Sequence, residues 1–278
     1  MPRCASSPFE SGLLILDKPA GPTSRAVVED VRRLLGARSA GHVGTLDPSA
    51  TGVLPILLGR ATRVAPALER LDKEYTAVVH LHKDVSDSIL RSVLGEFVGA
   101  VKQRPPVKSA VARRERTRMI YSIEILGRDG NDVRLRIVCE AGTYIRKLAS
   151  DIGLKIGGAH LKGLRRTRSG PFFEKDARKL DEIKDAAGNS AALAQIVLPV
   201  ERAVAHLPKV AVADAKKAAV LNGIPIREGW IVERHGNIEK GLIAIFSTGS
   251  ELLALGRADK NRIKVDRVVA TQSAGGEI

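Results

Sequence analysis

GHVGTLDPSATGVL, residues 41–54, gathers Gly41, Gly44, Pro48, Ser49 and Gly52 around one carboxylate, Asp47, and runs on into the apolar stretch Val53 to Leu58. Glycine permits positive φ and the close approach of another molecule, and a proline biases the residue before it towards extended geometry. Asp47 is therefore expected to stand on a stiff bend, which is how a loop displays a reactive group. The plainer reading of any short G-x-x-G-x-x-D is a surface turn whose Asp bonds the local backbone.

Outward from that stretch, 278 residues suit one large domain followed by a small one. The character of the chain changes at Leu207-Pro208, where short apolar runs and frequent glycines replace longer elements, so the expected division is 1–206 and 207–278. A hydrophobic content of 44% is enough to bury a core, while aromatics at 3% are scarce enough that any Tyr beside a loop such as 41–54 stands out. The formal net charge of +14 points to a polyanionic partner, because clustered Lys and Arg gain affinity by releasing counterions from a phosphate backbone. Nucleic acid leads; an anionic membrane surface would need an amphipathic basic helix or a lipidation motif, and neither is convincing here. No secretory h-region and no apolar run approaching about 18 residues is present, so a soluble, cytoplasmic protein is expected. Cys4 and Cys139 offer neither a disulfide framework nor zinc spacing, and Cys139 falls on the apolar face of a predicted strand. His80 and His82 would share a strand face without a further ligand pair. No metal site and no cofactor are expected.

In chain order, Leu13 to Asp17 reads as a short apolar strand ended by the turn Lys18-Pro19-Ala20-Gly21-Pro22. Thr23 or Ser24 can cap a helix whose Val27, Val28, Val31, Leu34 and Leu35 recur at helical spacing, with Gly36 as its stop. Lys73-Glu74-Tyr75 opens a strand with Tyr75, Ala77, Val79 and Leu81 on one face. Residues 86–97 predict a short helix with Ile89, Val93, Leu94 and Phe97 inside. Lys102 to Arg118 (KQRPPVKSAVARRERTR) carries seven Lys or Arg against one acidic residue, without apolar periodicity. Such a run is usually only solvated, yet inserted between strands it is placed to grip phosphates. Ile120 to Leu126 and Val133 to Cys139 predict a hairpin across residues 127–131, its outer face made basic by Arg134 and Arg136. A helix carried by Ile145, Leu148, Ala149 and Ile152 follows, stopped by Gly153, which leaves Tyr144 and Arg146 unexplained by packing. Leu164 precedes Arg165, Arg166 and Arg168, which add to the expected phosphate-facing surface. Residues 180–198 read as mostly helical, 213–221 as a helix, and 231–232, 241–246 and 252–256 as strands.

These pieces resemble, in order, the motifs of the TruB-type pseudouridine synthases: LDKPAGPTS, then GHVGTLD, then GTYIR at 142–146, then L-R-R-T-x-x-G-x-F from Leu164. QRPPVKSA at 103–110 is similar to the archaeal and eukaryotic, dyskerin-like H/ACA branch, and LNGIP, EKGLIAIF and ELLALGRA fit the pattern of a PUA domain, a small RNA-binding β-barrel. The resemblance implies an α+β fold: a catalytic domain on a mixed, largely antiparallel sheet flanked by helices, plus the PUA barrel. It implies Asp47 as the catalytic carboxylate, Lys18 and Pro19 as buttresses of its loop, and Arg146 as its guanidinium partner. Tyr75 would stack on the target uracil, a contact worth about 1 to 3 kcal/mol, and could take a proton later. Tyr144 and Leu164 would line the uridine pocket, and His42 would fill the space the extruded base leaves. As a residue, His42 serves equally as a bond to the loop backbone. The thumb loop at about 102–118, with Lys108, Arg113, Arg114 and Arg116, would grip RNA together with Arg165 and Arg166.

Turning uridine into pseudouridine breaks the C1′–N1 bond, turns the freed base and rejoins it through C5, without redox change or metal. A carboxylate can serve as nucleophile or base towards the sugar, and a fork-shaped guanidinium beside it favours its charged form. Which step Asp47 performs stays open. The family of the archaeal H/ACA type implies a guide RNA, rRNA or tRNA substrates, and a small zinc-ribbon protein, a small β-barrel accessory protein and a kink-turn-binding protein as partners. Guide-independent action on tRNA T-loops is the first alternative. A non-catalytic RNA-binding scaffold is the alternative of another class.

Overall fold

The computed structural model describes residues 11–104, 114–260 and 262–271. The first sheet uses β1 (Ser11–Lys18), β2 (Ala40–His42), β3 (Thr51–Gly59), β4 (Lys73–Leu81), β5 (Gly99–Gln103), β6 (Arg116–Asp129), β7 (Asp132–Cys139), β8 (Ala159–Ser169) and β9 (Phe172–Phe173). Its order among the described residues is β1-β3-β8-β4-β7-β6-β5, with β2 on β3 and β9 on β8. Every pairing is antiparallel except β3 with β8, which meet in parallel at Thr51↔Arg165 and Gly52↔Arg166. The mixed, largely antiparallel sheet flanked by helices is the expected α+β architecture.

β1 and β3 are buried on both faces, which is why they read as continuous apolar runs and not as alternations. On one side, α1 (Ser24–Leu34), α5 (Leu180–Ala186) and α6 (Ser190–Ile196) pack Val27, Val31, Ile183 and Leu193 against Leu14, Leu54 and Ile56. On the other, Leu13, Val53 and Leu57 meet Ala61, Val64 and Leu68, the last from α2 (Ala65–Glu69). β4 and β7 alternate instead. Tyr75, Ala77 and Val79 with Leu135 and Ile137 face α3 (Asp87–Glu96) and α4 (Ile145–Ile156), which contribute Leu90, Leu94, Leu148 and Ile152.

Several boundaries and orientations differ from the expected ones. In α3, Ile89 is 55% exposed and Leu90 takes the inward place. Ser86 caps that helix, and the inward stripe centres on 90, 93, 94 and 97, at i, i+3, i+4 and i+7, with 89 beyond its edge. Gly153 does not stop α4, which continues to Ile156 and ends at Gly157 in the left-handed region. Gly153 is instead the point where β8 crosses the helix: a Cβ there would lie 2.3 Å from the Ala159 nitrogen. The β6–β7 turn is only Gly130-Asn131, because the ladder runs on through Asp129↔Asp132. The outer face there is charge-paired and not simply basic, since Arg136 bonds both Glu74 and Glu124. The basic run also starts and ends inside strands, with Lys102↔Thr117 and Gln103↔Arg116 in the β5–β6 ladder.

The second sheet is formed by β10 (Lys209–Val212), β11 (Ile231–His235), β12 (Lys240–Ser247), β13 (Leu252–Asp259) and β14 (Arg262–Val268), in order β11-β10-β12-β13-β14. β10 and β14 were not read as strands in the sequence, and the helix expected over 213–221 shortens to a 3-10 turn at Asp214–Lys216 plus α7 (Lys217–Leu221). Val210, Ile243, Ile245 and Leu253 form its own cluster, while Leu252 and Leu255 pack into the cluster of Leu13 and Leu57. Arg60 Nε and Nη2 donate to the Val269 and Ala270 carbonyls at 2.5 Å each, and Arg63 Nη1 donates to the Val268 carbonyl at 2.8 Å, fastening the two sheets together.

Candidate active site

Asp47 sits between β2 and β3 on a bend whose carbonyls are held from beneath. Lys18, fully buried at the end of β1, donates from Nζ to the carbonyls of Pro48 (3.1 Å) and Ala50 (3.0 Å), as well as to that of Pro19. Ser24 Oγ, in the first turn of α1, donates to the Leu46 carbonyl and accepts its N–H, both at 2.9 Å. Gly21 N–H reaches the Pro48 carbonyl at 2.9 Å. Buried ammonium and hydroxyl groups demand such partners, so the apolar β1 and the cap of α1 both acquire fixed positions against the loop. The glycines divide by need. Gly44 and Gly52 hold φ of +75° and +100°, and a Cβ on Gly52 would lie 2.3 Å from the Arg166 carbonyl oxygen. Gly41 has ordinary φ and room for a Cβ.

From the other direction comes α4. Arg146, in its first turn, donates from Nη2 to Asp47 Oδ2 at 2.5 Å, joining residues 99 apart in sequence. Both side chains are about half exposed, at 51% and 50%, so the pair is open to an incoming molecule. In water such a pair stabilises the fold by less than about 1 kcal/mol, and its attraction strengthens when a ligand displaces the solvent. Tyr75 lies in the wall behind. It is 8% exposed and packed in the cluster that includes Leu46 and Ala50, with the Arg166 guanidinium nearby. Burial foremost holds that phenol above its ordinary pKa, with Arg166 opposing, so it keeps its proton at neutral pH. Leu164 packs on the same cluster from β8, opposite Ala77. Tyr144 is the residue that caps α4, and Gln103 bonds its backbone. His42 Nε2 bonds Thr45 Oγ1 at 3.1 Å, a loop side chain and not the backbone, and burial lowers its pKa with help from Arg166.

The sequence reading of Arg166 is corrected. Arg166 faces no solvent: it is 1% exposed, donating from Nε to the Val53 carbonyl at 2.7 Å and from Nη2 to the Gly44 carbonyl at 2.8 Å. It is a post under the loop. Arg165 is forked onto Asp17 at 2.9 and 3.0 Å and bonds Glu174 as well, so its charge is already matched by carboxylates. Of the thumb residues, Arg114 and Arg116 are exposed, while Lys108 and Arg113 lie outside the described residues. Two side chains hold site backbone without a signal of that role in the sequence: Ser24 carries only the signal of a helix cap and Gln103 carries none. Lys73 is 3% exposed, reaches the carbonyls of Leu68, Glu69 and Leu71, and is pushed down to about 8 chiefly by burial.

His80 and His82 do gain neighbours that sequence spacing could not reveal. His80 Nδ1 lies 2.6 Å from Asp132 Oδ1, and His82 Nε2 lies 2.9 Å from His160 Nδ1. Among the described residues no group of His, Cys, Asp and Glu is arranged to hold a metal ion. No described helix is long and apolar enough to cross a membrane.

Residues 32–145 match the model of the N-terminal domain of TruB family pseudouridylate synthases, and 146–205 match that of the tRNA pseudouridylate synthase B C-terminal domain. A probable tRNA pseudouridine synthase B of Pyrococcus abyssi is 48% identical over 259 residues, covering 90% of this chain and 78% of the relative. Its counterpart in Methanosarcina barkeri is 44% identical over 259 residues, covering 90% and 77%. Among solved structures, a Cbf5-Nop10-Gar1 complex matches with a TM-score of 0.86 at 40% identity over 97% of this chain and 91% of that one. An H/ACA ribonucleoprotein bound to a substrate RNA containing 2′-deoxyuridine matches with the same TM-score and identity over 95% and 86%.

Proposed function

Because this chain belongs to the TruB family of pseudouridylate synthases and is thus an RNA pseudouridine synthase, we propose that Asp47 is its catalytic carboxylate and that a guide RNA selects its uridine. The observation that carries the catalytic assignment is the Arg146–Asp47 contact, half-exposed on a bend that Lys18, Ser24 and Arg166 hold rigid. A nucleotide entering there meets a fixed carboxylate, and binding displaces the water that now screens it. The C1′–N1 bond breaks with its electron pair leaving on the base, the base turns, and C5 bonds C1′. The C5 proton is lost and N1 is protonated, so the reaction is an isomerisation. Asp47 serves as nucleophile or base towards the sugar. Arg146 aligns it by a charge-assisted bond, and Tyr75, Tyr144 and Leu164 form the walls around the base. Tyr75, neutral and buried, offers the base only a small part of its ring. His42, held neutral by burial, is placed at the rim of the loop to occupy the space of an extruded base.

The guide-directed reading is supported by likeness along nearly the whole chain to the protein of H/ACA assemblies. It brings the small zinc-ribbon, β-barrel and kink-turn-binding proteins as partners, and it makes 207–278 a PUA domain for RNA beside a catalytic domain of 1–206. The names of the relatives favour a second reading, direct action on tRNA. Two comparisons test these assignments. Asp47→Asn is expected to lower pseudouridine formation at least about 1,000-fold while RNA affinity changes less than about 3-fold; an Asn variant as active as the parent removes Asp47 from the chemistry and leaves a scaffold. Purified protein with labelled tRNA, alone and with guide RNA and partner proteins, separates the two targeting modes. Product from tRNA alone, at a rate that guide and partners do not raise, decides for the second.

A further inference from the structure

We propose that Gln103 is a positioning residue for the reaction, setting Arg146 on Asp47 by holding the backbone of Tyr144; this rests on Asp47 being the catalytic carboxylate. Gln103 is the last residue of β5 and is 3% exposed. A buried side-chain amide needs partners, and this one spends both ends on a single residue. Its Oε1 accepts the Tyr144 N–H at 2.9 Å, and its Nε2 donates to the Tyr144 carbonyl at 3.3 Å. A two-point bond of this kind fixes orientation as well as distance.

Tyr144 is where α4 begins. It stands at the N-terminus of α4 with φ −95° and ψ 99°, and its side chain makes no capping bond to the helix. Its carbonyl also accepts the first bond of the helix, from Leu148 N–H at 3.0 Å. The entry angle of α4 is therefore set at Tyr144, and two residues on Arg146 reaches Asp47 at 2.5 Å. The approach to Tyr144 is closed from behind as well. The Arg118 guanidinium of β6 lies against Gly142, whose φ is +82° and whose absent Cβ would stand 3.1 Å from Arg118 Nε. Gln103 pairs with Arg116 in the last rung of the β5–β6 ladder, so the same two strands seat the whole turn. Arg146 itself is half-exposed beside Asp47. Its aim comes from its backbone.

The test compares single-turnover pseudouridine formation with RNA affinity for Gln103→Leu, which fills similar volume but leaves the Tyr144 N–H without its partner. A misplacement of about 1 Å can cost about 100-fold in rate, so the expected loss in the chemical step is between about 10- and 100-fold, with RNA affinity within about 3-fold of the parent. Amide hydrogen exchange is expected to accelerate at Tyr144 and the first turn of α4. Gln103→Asn, too short to span both groups, carries the same test if the Leu variant does not fold. A double-mutant cycle supplies the readout that loss of stability would not move: in an Arg146→Met background, Gln103→Leu is expected to add less than about 3-fold. Parental rate in the single variants, or full additivity in the cycle, overturns the proposal. Asp47→Asn run alongside keeps the two assignments apart, because an inactive Asn variant beside a fully active Gln103 variant rejects only the role of Gln103.

Discussion

The buried cations beneath the Asp47 loop show how single side chains decide the site. Lys18, Arg166 and Lys73 are each at most 3% exposed, and each is surrounded by backbone carbonyls and not by carboxylates. Carbonyl ligation satisfies a charge without neutralising it, so a positive field remains under the bend on which Asp47 stands. Lys73 bears the largest cost. Its pKa is pushed down to about 8, from burial first and the Arg166 guanidinium second, against an ordinary value near 10.5. Between those values the unfolded chain binds more protons than the folded one, so this lysine makes stability rise with pH. Its unfavourable contribution is complete below about pH 8 and fades above it. Between about pH 8 and 9.5, before the tyrosines titrate, denaturant unfolding of the parent is expected to gain about 1 to 2 kcal/mol relative to Lys73→Met. Parallel pH profiles for the two proteins would remove the penalty from this residue. Burial of Lys18, foremost, also lowers its pKa, with Asp47 opposing, which places that carboxylate in the same field.

At the scale of elements, α4 joins the chemistry to the sheet, and its glycines state how. Gly157 supplies the left-handed C-cap, whereas Gly153 lies inside the helix and lets the start of β8 pass across it. A methyl group there meets backbone, not a flexible side chain, so Gly153→Ala is expected to destabilise the protein by about 3 kcal/mol, seen as a lowered denaturation midpoint. Gly95, near the end of α3, has open space where its Cβ would be. The same substitution at Gly95 is expected to stabilise by about 0.5 to 1 kcal/mol, because alanine is the better helix former. Equal effects at both positions would mean that helix propensity, not the crossing of β8, governs Gly153. The expectation of a stop at Gly153 failed for this reason: a glycine that ends a helix and one that admits a neighbouring strand look alike until the strand is in place.

Across the whole molecule, the net charge of +14 is spread unevenly in its effect. Arg165, Arg136 and Arg128 are matched by carboxylates, the last by Asp84 and Asp87. Arg114 and Arg116, exposed at the start of β6, are better placed for phosphate. Replacing both with Gln is expected to weaken RNA binding and to reduce the slope of log affinity against log salt by about 1.4 to 1.8, whereas Arg165→Gln is expected to leave the slope nearly unchanged. A reversed ranking in salt titrations would return Arg165 to the RNA surface. By itself the sequence determined β1, β4, β6 and β7 of the first sheet, the capped start of α1, the bend around Asp47 and its family, because these are written in local periodicity, turn residues and an ordered set of motifs. Only the tertiary structure decided which cations serve the loop from below, that Gln103 reaches Tyr144, and that Arg166 is interior. Local patterns record which face of one element is apolar. They hold no record of which polar side chain will meet a particular carbonyl across the parallel seam of β3 and β8, and that meeting fixes where a buried charge can reside.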